Sequence, residues 1–180
     1  MQNSAAILRL TVDTLATPIG DFLIVADDEG ILRAGEFADR DLRLRTMLDR
    51  RLGTARYTLL PGHGPAQTRD AMSAYFAGEL SAINTIPTKA GGTSFQETVW
   101  AELRRLQAGK ATTYAALAQR IERTQSPRAV GHANGANPIS IIIPCHRLVG
   151  ASGHLTGYGG GLERKRWLLD HEARFSGHSA

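Results

Sequence analysis

The sequence predicts an α+β (α/β) protein of two domains, and three observations carry that expectation. Apolar and polar residues alternate between turn signals over the first forty positions, which is the pattern of half-buried strands. From Thr93 onward the apolar spacing becomes helical. Between them, Gly78 to Gly92 has little periodicity and contains Pro87 and Gly91-Gly92. A boundary there gives an N-terminal domain over 1–92, with its linker from about residue 78, and a C-terminal domain over 93–180. The 180 residues suit that division, since domains run to ~100–200 residues.

Ile7 to Thr14, Phe22 to Val25 and Ile31 to Phe37 read as a three-stranded antiparallel meander. Thr17-Pro18-Ile19-Gly20 and Asp27-Asp28-Glu29-Gly30 supply the two turns. Asp39 is placed to cap a helix through Leu42, Leu44, Met47 and Leu48, which Leu52-Gly53 ends. A second helix runs from about Pro65 to Phe76.

In the C-terminal domain, Phe95, Val99, Leu103 and Leu106 form a helical stripe that Gly109 stops. Thr113 is an N-cap for a short helix with Leu117, Ala118 and Ile121 inside. After a turn at Arg123–Gln125, Ser126 and Pro127 start a small-sided helix to about Asn134, closed by Gly135. The two short helices resemble a helix-turn-helix. Ile139 to Ile143 is an apolar β-branched run, predicted as a buried strand or strand-like segment. It leads into Pro144-Cys145-His146-Arg147, a glycine-rich stretch to Gly161, and a last helix from Leu162 to about Glu172.

Composition narrows the functions. Hydrophobic residues are 42% and charged residues 21%, which excludes disorder and fibre as defaults. No run of about eighteen apolar residues exists to span a membrane, and the N-terminus lacks the features of a secretory signal. A cytoplasmic location is the expectation. The single cysteine excludes an intrachain disulfide and any zinc site built on two cysteines. Neither a metal nor a cofactor is expected. Net charge is +4, unevenly placed: residues 1–94 hold 10 Lys+Arg and 11 Asp+Glu (−1), while 95–180 hold 11 and 6 (+5). A basic C-terminal half fits a polyanionic partner as well as it fits an ordinary solvated surface.

The lone Cys145 stands between Pro144, which stiffens its approach, and His146, a base close in sequence. Most free cysteines are inert core, but a thiolate beside a histidine is a strong nucleophile. Adjacent residues rarely hydrogen-bond directly in an extended segment, so a bridging water or a bend is expected between them.

Pro144-Cys145-His146-Arg147 resembles the active-site signature of the methylated-DNA–protein-cysteine methyltransferases, the O6-alkylguanine-DNA alkyltransferases. The likeness continues through Arg128-Ala129-Val130-Gly131, Ala133-Asn134-Gly135, Asn137-Pro138, Gly157-Tyr158-Gly159-Gly160-Gly161 and Leu168-Leu169-Asp170-His171-Glu172. Phe95-Gln96, Val99-Trp100 and Tyr114 also match. It covers about Thr93 to Glu172 and is looser over the N-terminal meander. The single-function bacterial type is the one it resembles.

The resemblance implies a DNA repair protein that moves an alkyl group from O6 of guanine, and from O4 of thymine, onto its own Cys145, once. His146 would take the thiol proton through a water, and Glu172 would orient the imidazole. Asn137 would pin the active-site turn, and Tyr114 would donate to the departing guanine. The implied DNA-facing set is Arg128, Ala129, Gly131 and Thr113, with Arg128 filling the stack behind a flipped nucleotide. Small residues on that helix suit close approach to the minor groove, although they would equally allow tight helix packing. Arg128 at a helix start opposes the dipole, which favours an external partner over a structural role. The implied pocket comprises Tyr158, Gly159, Leu148 and Pro144. The partner is double-stranded DNA carrying alkylated guanine, bound by a monomer that could cluster along it, without membrane or metal.

Leu148 and Gly159 depart from the Val or Ile and the Ser or Ala common in relatives, so small changes in pocket shape are expected. Asn134 and His132 vary in the family and are assigned no chemistry. Two other classes remain for the same residues. A thiol hydrolase or peptidase could use Cys145, although its histidine usually comes from far away in sequence. A DNA-binding protein without chemistry would explain the helix-turn-helix and the basic half, but not the retained cysteine.

Overall fold

The computed structural model describes residues 7–121 and 127–178. Strands β1 (Leu8–Leu15), β2 (Phe22–Asp27), β3 (Leu32–Phe37) and β4 (Tyr57–Pro61) form one sheet in the order β3-β2-β1-β4. The first three make the expected antiparallel meander, with a register shift between Val25 and Ala26. The sheet has four strands, however, rather than three. β4 lies parallel to β1, Leu8 opposite Tyr57 and Val12 opposite Pro61. It is a short edge strand with exposed Thr58 and Leu60, so it has no two-sided apolar pattern to announce it. Pro61 is tolerated because it sits at the strand's end.

Side chains alternate across the sheet. One face carries Leu10, Val25 and Ala34 and is covered by Leu44 and Leu48 of helix α1 (Asp41–Leu52). Its start differs from expectation: Asp39 lies in a 3-10 turn, and α1 has no side-chain cap. The Asp39 carboxylate instead accepts from Arg164 Nη1 at 2.9 and 3.1 Å. The other face carries Phe22, Ile24, Ala26, Leu32 and Phe37, in one continuous core with Met72 and Tyr75 of α2 (Ala66–Phe76), Val99 and Trp100 of α3 (Ser94–Arg105), and Ile139 to Ile143. That cluster draws on residues from both sides of the 78–92 segment.

The outer edge of β3 is covered by the chain itself, which removes a site for unwanted pairing. Leu32 N–H donates to Pro87 at 3.0 Å, Gly35 N–H to Pro138 at 2.9 Å, and Ser140 N–H to Gly35 at 2.8 Å. The segment leading to Cys145 is therefore docked on the N-terminal sheet.

Beyond α3, whose start is a capping box of Thr93 and Gln96, Thr112–Thr113 (β5) pairs in parallel with Leu148–Val149 (β6). Thr113 Oγ1 accepts from Ala116 N–H at 3.1 Å, so it caps α4 (Tyr114–Arg120) as expected. Helix α5 (Pro127–Gly135) begins at its proline, and α6 (Leu162–Phe175) closes the fold. The predicted turn at 123–125 and Ser126 lie outside the described residues. Among the described residues no helix is long and apolar enough to cross a membrane.

The expected strand at Ile139 to Ile143 is a run of buried turns. Only Ile139 bridges to a strand, and Ile141 has φ 69°. The cause is Asn137. Its Oδ1 accepts from Ile139 N–H at 3.0 Å and its Nδ2 donates to Ile143 O at 2.8 Å, while Ile142 and Ile143 N–H turn back to Ser140 O and Ile139 O, so a side chain and local turns replace a ladder.

Candidate active site

Cys145 opens a single 3-10 turn, Cys145–Arg147, immediately after the Asn137-pinned segment. Cys145 is only 5% exposed. Burial pushes its pKa up to about 11, while an Asn137 side-chain hydrogen bond works the other way. A thiol in this state is protected from casual reaction and needs a proton acceptor before it can attack.

His146 is fully buried, and its Nε2 lies 2.9 Å from Glu172 Oε1. A carboxylate can only accept, so Nε2 carries the proton and Nδ1 holds a lone pair. Nδ1 has no hydrogen-bond partner among the described residues. Burial lowers the imidazole pKa and outweighs the opposing pull of Glu172. The ring is thus a neutral base at physiological pH with its accepting nitrogen uncommitted.

Glu172, on α6, is the most heavily bonded side chain of the site. Arg147 Nε donates to Oε2 and Nη2 to Oε1, each at 2.9 Å. Tyr75 Oη donates to Oε1 at 2.9 Å, and Gly109 N–H to Oε2 at 3.2 Å. Burial alone would raise this carboxyl, but His146 and Arg147 prevail and hold it well below the usual carboxylate range. A buried charge with this many donors is compensated. The remaining Arg147 nitrogen, Nη1, donates to Leu106 O at 2.6 Å, which ties α3 to the same cluster.

Tyr158 stands edge-on to the His146 ring, centroids 6.3 Å apart. Burial drives its phenol pKa well up, and nearby Cys145 and Glu36 add to the effect. Gly159 and Gly160 pass close to Arg43 and Phe37. Leu148 is fully buried behind the turn. The structure therefore gathers Cys145, His146, Glu172, Asn137, Pro144, Leu148, Tyr158 and Gly159 around one turn.

The other expected residues lie on α4 and α5. The Tyr114 hydroxyl is 2.9 Å from Thr156 Oγ1 in the glycine-rich stretch, and its ring faces Gly131. Arg128 is exposed at the start of α5, with Ala129 and Gly131 beside it half-buried. Arg128 and Gly131 also line a groove of about 860 Å³ shared with Arg50, Arg51 and Thr93. Thr113 is occupied as a helix cap.

Several participants escaped the sequence reading. Tyr75 reaches Glu172 from α2, and Arg147 was quoted only as part of a motif. Glu36 and Arg43 come from β3 and α1, and Lys165 is a fully buried lysine whose Nζ donates to Thr156 O at 2.8 Å. Asn134, assigned no chemistry, is buried with Nδ2 3.4 Å from Cys145 O.

Fold and site together define a protein that keeps one buried thiol beside a His–Glu pair, with two short helices, α4 and α5, in the same half of the chain. Residues 94–174 match the family described as 6-O-methylguanine DNA methyltransferase, DNA binding domain. The methylated-DNA–protein-cysteine methyltransferase of Shigella flexneri is 44% identical over 165 residues, covering 92% of this chain and 96% of the relative. The crystal structure of Mycobacterium tuberculosis O6-methylguanine methyltransferase superposes with TM-score 0.74 at 35% identity, covering 94% of each chain. That of Mycobacterium tuberculosis OGT in complex with DNA gives TM-score 0.73 at 37% identity, covering 92% of this chain and 93% of that one. The chain belongs to the methylated-DNA–protein-cysteine methyltransferase family.

Proposed function

We propose that this protein repairs alkylated DNA by transferring the alkyl group from guanine O6 to Cys145. The observation that carries the reading is the uncommitted Nδ1 of a neutral His146, whose Nε2 is held by Glu172 beside the only thiol. The Cys145 proton passes through a water to His146 Nδ1, and Glu172 stabilises the imidazolium. The thiolate sulfur then attacks the alkyl carbon. The S–C bond forms, the C–O6 bond breaks, and its electron pair leaves with guanine. Tyr114 donates a proton to the departing base. Thymine O4 presents the same kind of alkyl–oxygen bond and is included as a substrate.

The product is a thioether, and the chain offers no chemistry to reverse it. Each molecule acts once. A cysteine only 5% exposed cannot reach a base still stacked in a duplex, so the nucleotide is extruded, at a cost of a few kcal/mol. Arg128, at the exposed start of α5, fills the vacated stack from the minor groove, where Ala129 and Gly131 allow close approach and Thr113 lies at the edge of the contact. Tyr158, Gly159, Leu148 and Pro144 enclose the received base. The protein works as a monomer in the cytoplasm, where a lone thiol stays reduced.

Peptide mass spectrometry after mixing with O6-methylguanine duplex tests the assignment. One methyl group on the Cys145 peptide is expected, and none in Cys145→Ser, which retains DNA binding. An unmethylated Cys145 alongside persistent lesion DNA would refute it.

A further inference from the structure

Arg43 stands on α1, in the half of the chain that holds neither Cys145 nor His146, yet its guanidinium is engaged on three sides. It pairs with the buried Glu36 of β3. Its Nη2 donates to Gly135 O at 3.0 Å and to Asn137 O at 3.2 Å. Those carbonyls belong to the C-terminal end of α5 and the turn after it, where a cation is favoured by the helix dipole. Glu36 in turn is fully buried; its Oε2 accepts from Ser140 Oγ at 3.1 Å and its Oε1 from Phe37 N–H at 3.0 Å. The pair thus grips the segment on which Cys145 is mounted at Gly135, Asn137 and Ser140.

The same guanidinium meets the opposite wall of the site. A Cβ placed on Gly159 would lie 2.7 Å from Arg43 Cζ and 2.9 Å from its Nε, closer than real contacts allow. A side chain at 159 would therefore push on the guanidinium that Glu36 and the two carbonyls hold. The missing side chain at 159 and the arginine at 43 therefore fit as a matched pair.

We propose that Arg43 is a positioning residue for Cys145, holding the Gly135–Asn137 turn against the Gly159 loop so that the thiol and the pocket wall keep a fixed relation. The inference rests on the function proposed above for this site. It gives the N-terminal half a defined part in the transfer step. It also gives the departure at 159 a reason: a larger residue there competes with the clamp for one space. The charges around the thiol act in both directions: Glu36 opposes the thiolate, while Arg43 and Lys165 favour it.

The test combines a thiol titration with a double-mutant cycle. The rate of Cys145 alkylation by iodoacetamide, followed against pH, reads the thiol without any DNA. In Arg43→Ala the profile is expected to move to higher pH, and methyl transfer from O6-methylguanine duplex to fall roughly tenfold, as for one lost charge-assisted hydrogen bond in the site. Gly159→Ala is expected to slow transfer in the native background and to cost much less in Arg43→Ala, because the two changes share one space. If Arg43→Ala does not fold, Arg43→Lys replaces it in the cycle; it keeps the charge and loses the fork, so transfer falls while the thiol profile moves less. An unmoved profile in Arg43→Ala overturns the proposal, as does additivity of the changes at 43 and 159 in whichever cycle is run. Absence of methyl transfer in the unsubstituted protein would refute the functional reading instead, and the iodoacetamide profile would still decide on Arg43.

Discussion

The Tyr75 hydroxyl donates to Glu172 Oε1 at 2.9 Å across 97 residues of chain. Tyr75 also accepts His171 Nε2–H on its own carbonyl at 2.9 Å, so α2 holds α6 both at the carboxylate and one residue before it. The carboxylate that fixes His146 is itself fixed from the N-terminal half.

Tyr75→Phe removes one donor from a buried carboxylate while keeping the ring packed against Phe76 and His171. Stability is expected to fall by about 1.5–3 kcal/mol, the range for a hydrogen bond to a charged group. Arg147 and His146 still hold Glu172, so methyl transfer persists at a reduced rate. Urea unfolding beside single-turnover kinetics checks both parts.

Three groups of the site contribute to the pH dependence of stability. His146 titrates below its ordinary 6.5 and Glu172 below its ordinary 4.5, so each binds protons more readily in the unfolded chain. Their contributions are present above those values and are lost as pH falls through and below them. Cys145 titrates at about 11 rather than 9.0, so the folded state holds its proton longer and stability declines as pH rises through that interval. Denaturation midpoints across pH are expected to be flat between about 6.5 and 9 and to fall on either side. In Cys145→Ser the alkaline decline should shrink while the acid limb stays.

Arg128→Ala separates extrusion from chemistry. Repair of duplex DNA is expected to slow far more than reaction with free O6-alkylguanine, since the free base needs no flipping. Tyr114→Phe should slow both, because in the proposed transfer its proton serves the leaving group in either substrate. Single-turnover rates for the two variants on the two substrates distinguish the roles. Equal losses for Arg128→Ala would make it a support for the fold or pocket.

Local rules made much of this molecule legible. The helical stripe of α3, the Thr113 cap and the Pro127 start are set by nearest neighbours and can be read directly. The Cys145–His146 adjacency marked the site for the same reason. Three features were not legible from pattern or spacing. Tyr75, Glu36 and Arg43 reach the site only after the N-terminal sheet docks against the C-terminal half. The β4 edge strand is half exposed and acquires its structure from β1. Ile139 to Ile143 has the composition of a strand, but one asparagine two residues upstream binds the Ile139 N–H and the Ile143 carbonyl and folds the run into turns. The Asp39 cap failed similarly, its carboxylate drawn away by Arg164, 125 residues further on.

Titration of O6-methylguanine duplex against a fixed amount of protein tests the central claim most directly. Repaired guanine should rise linearly until it equals the protein present and then stop, with Cys145→Ser giving none. Repair continuing past one equivalent would contradict a transfer that ends on Cys145.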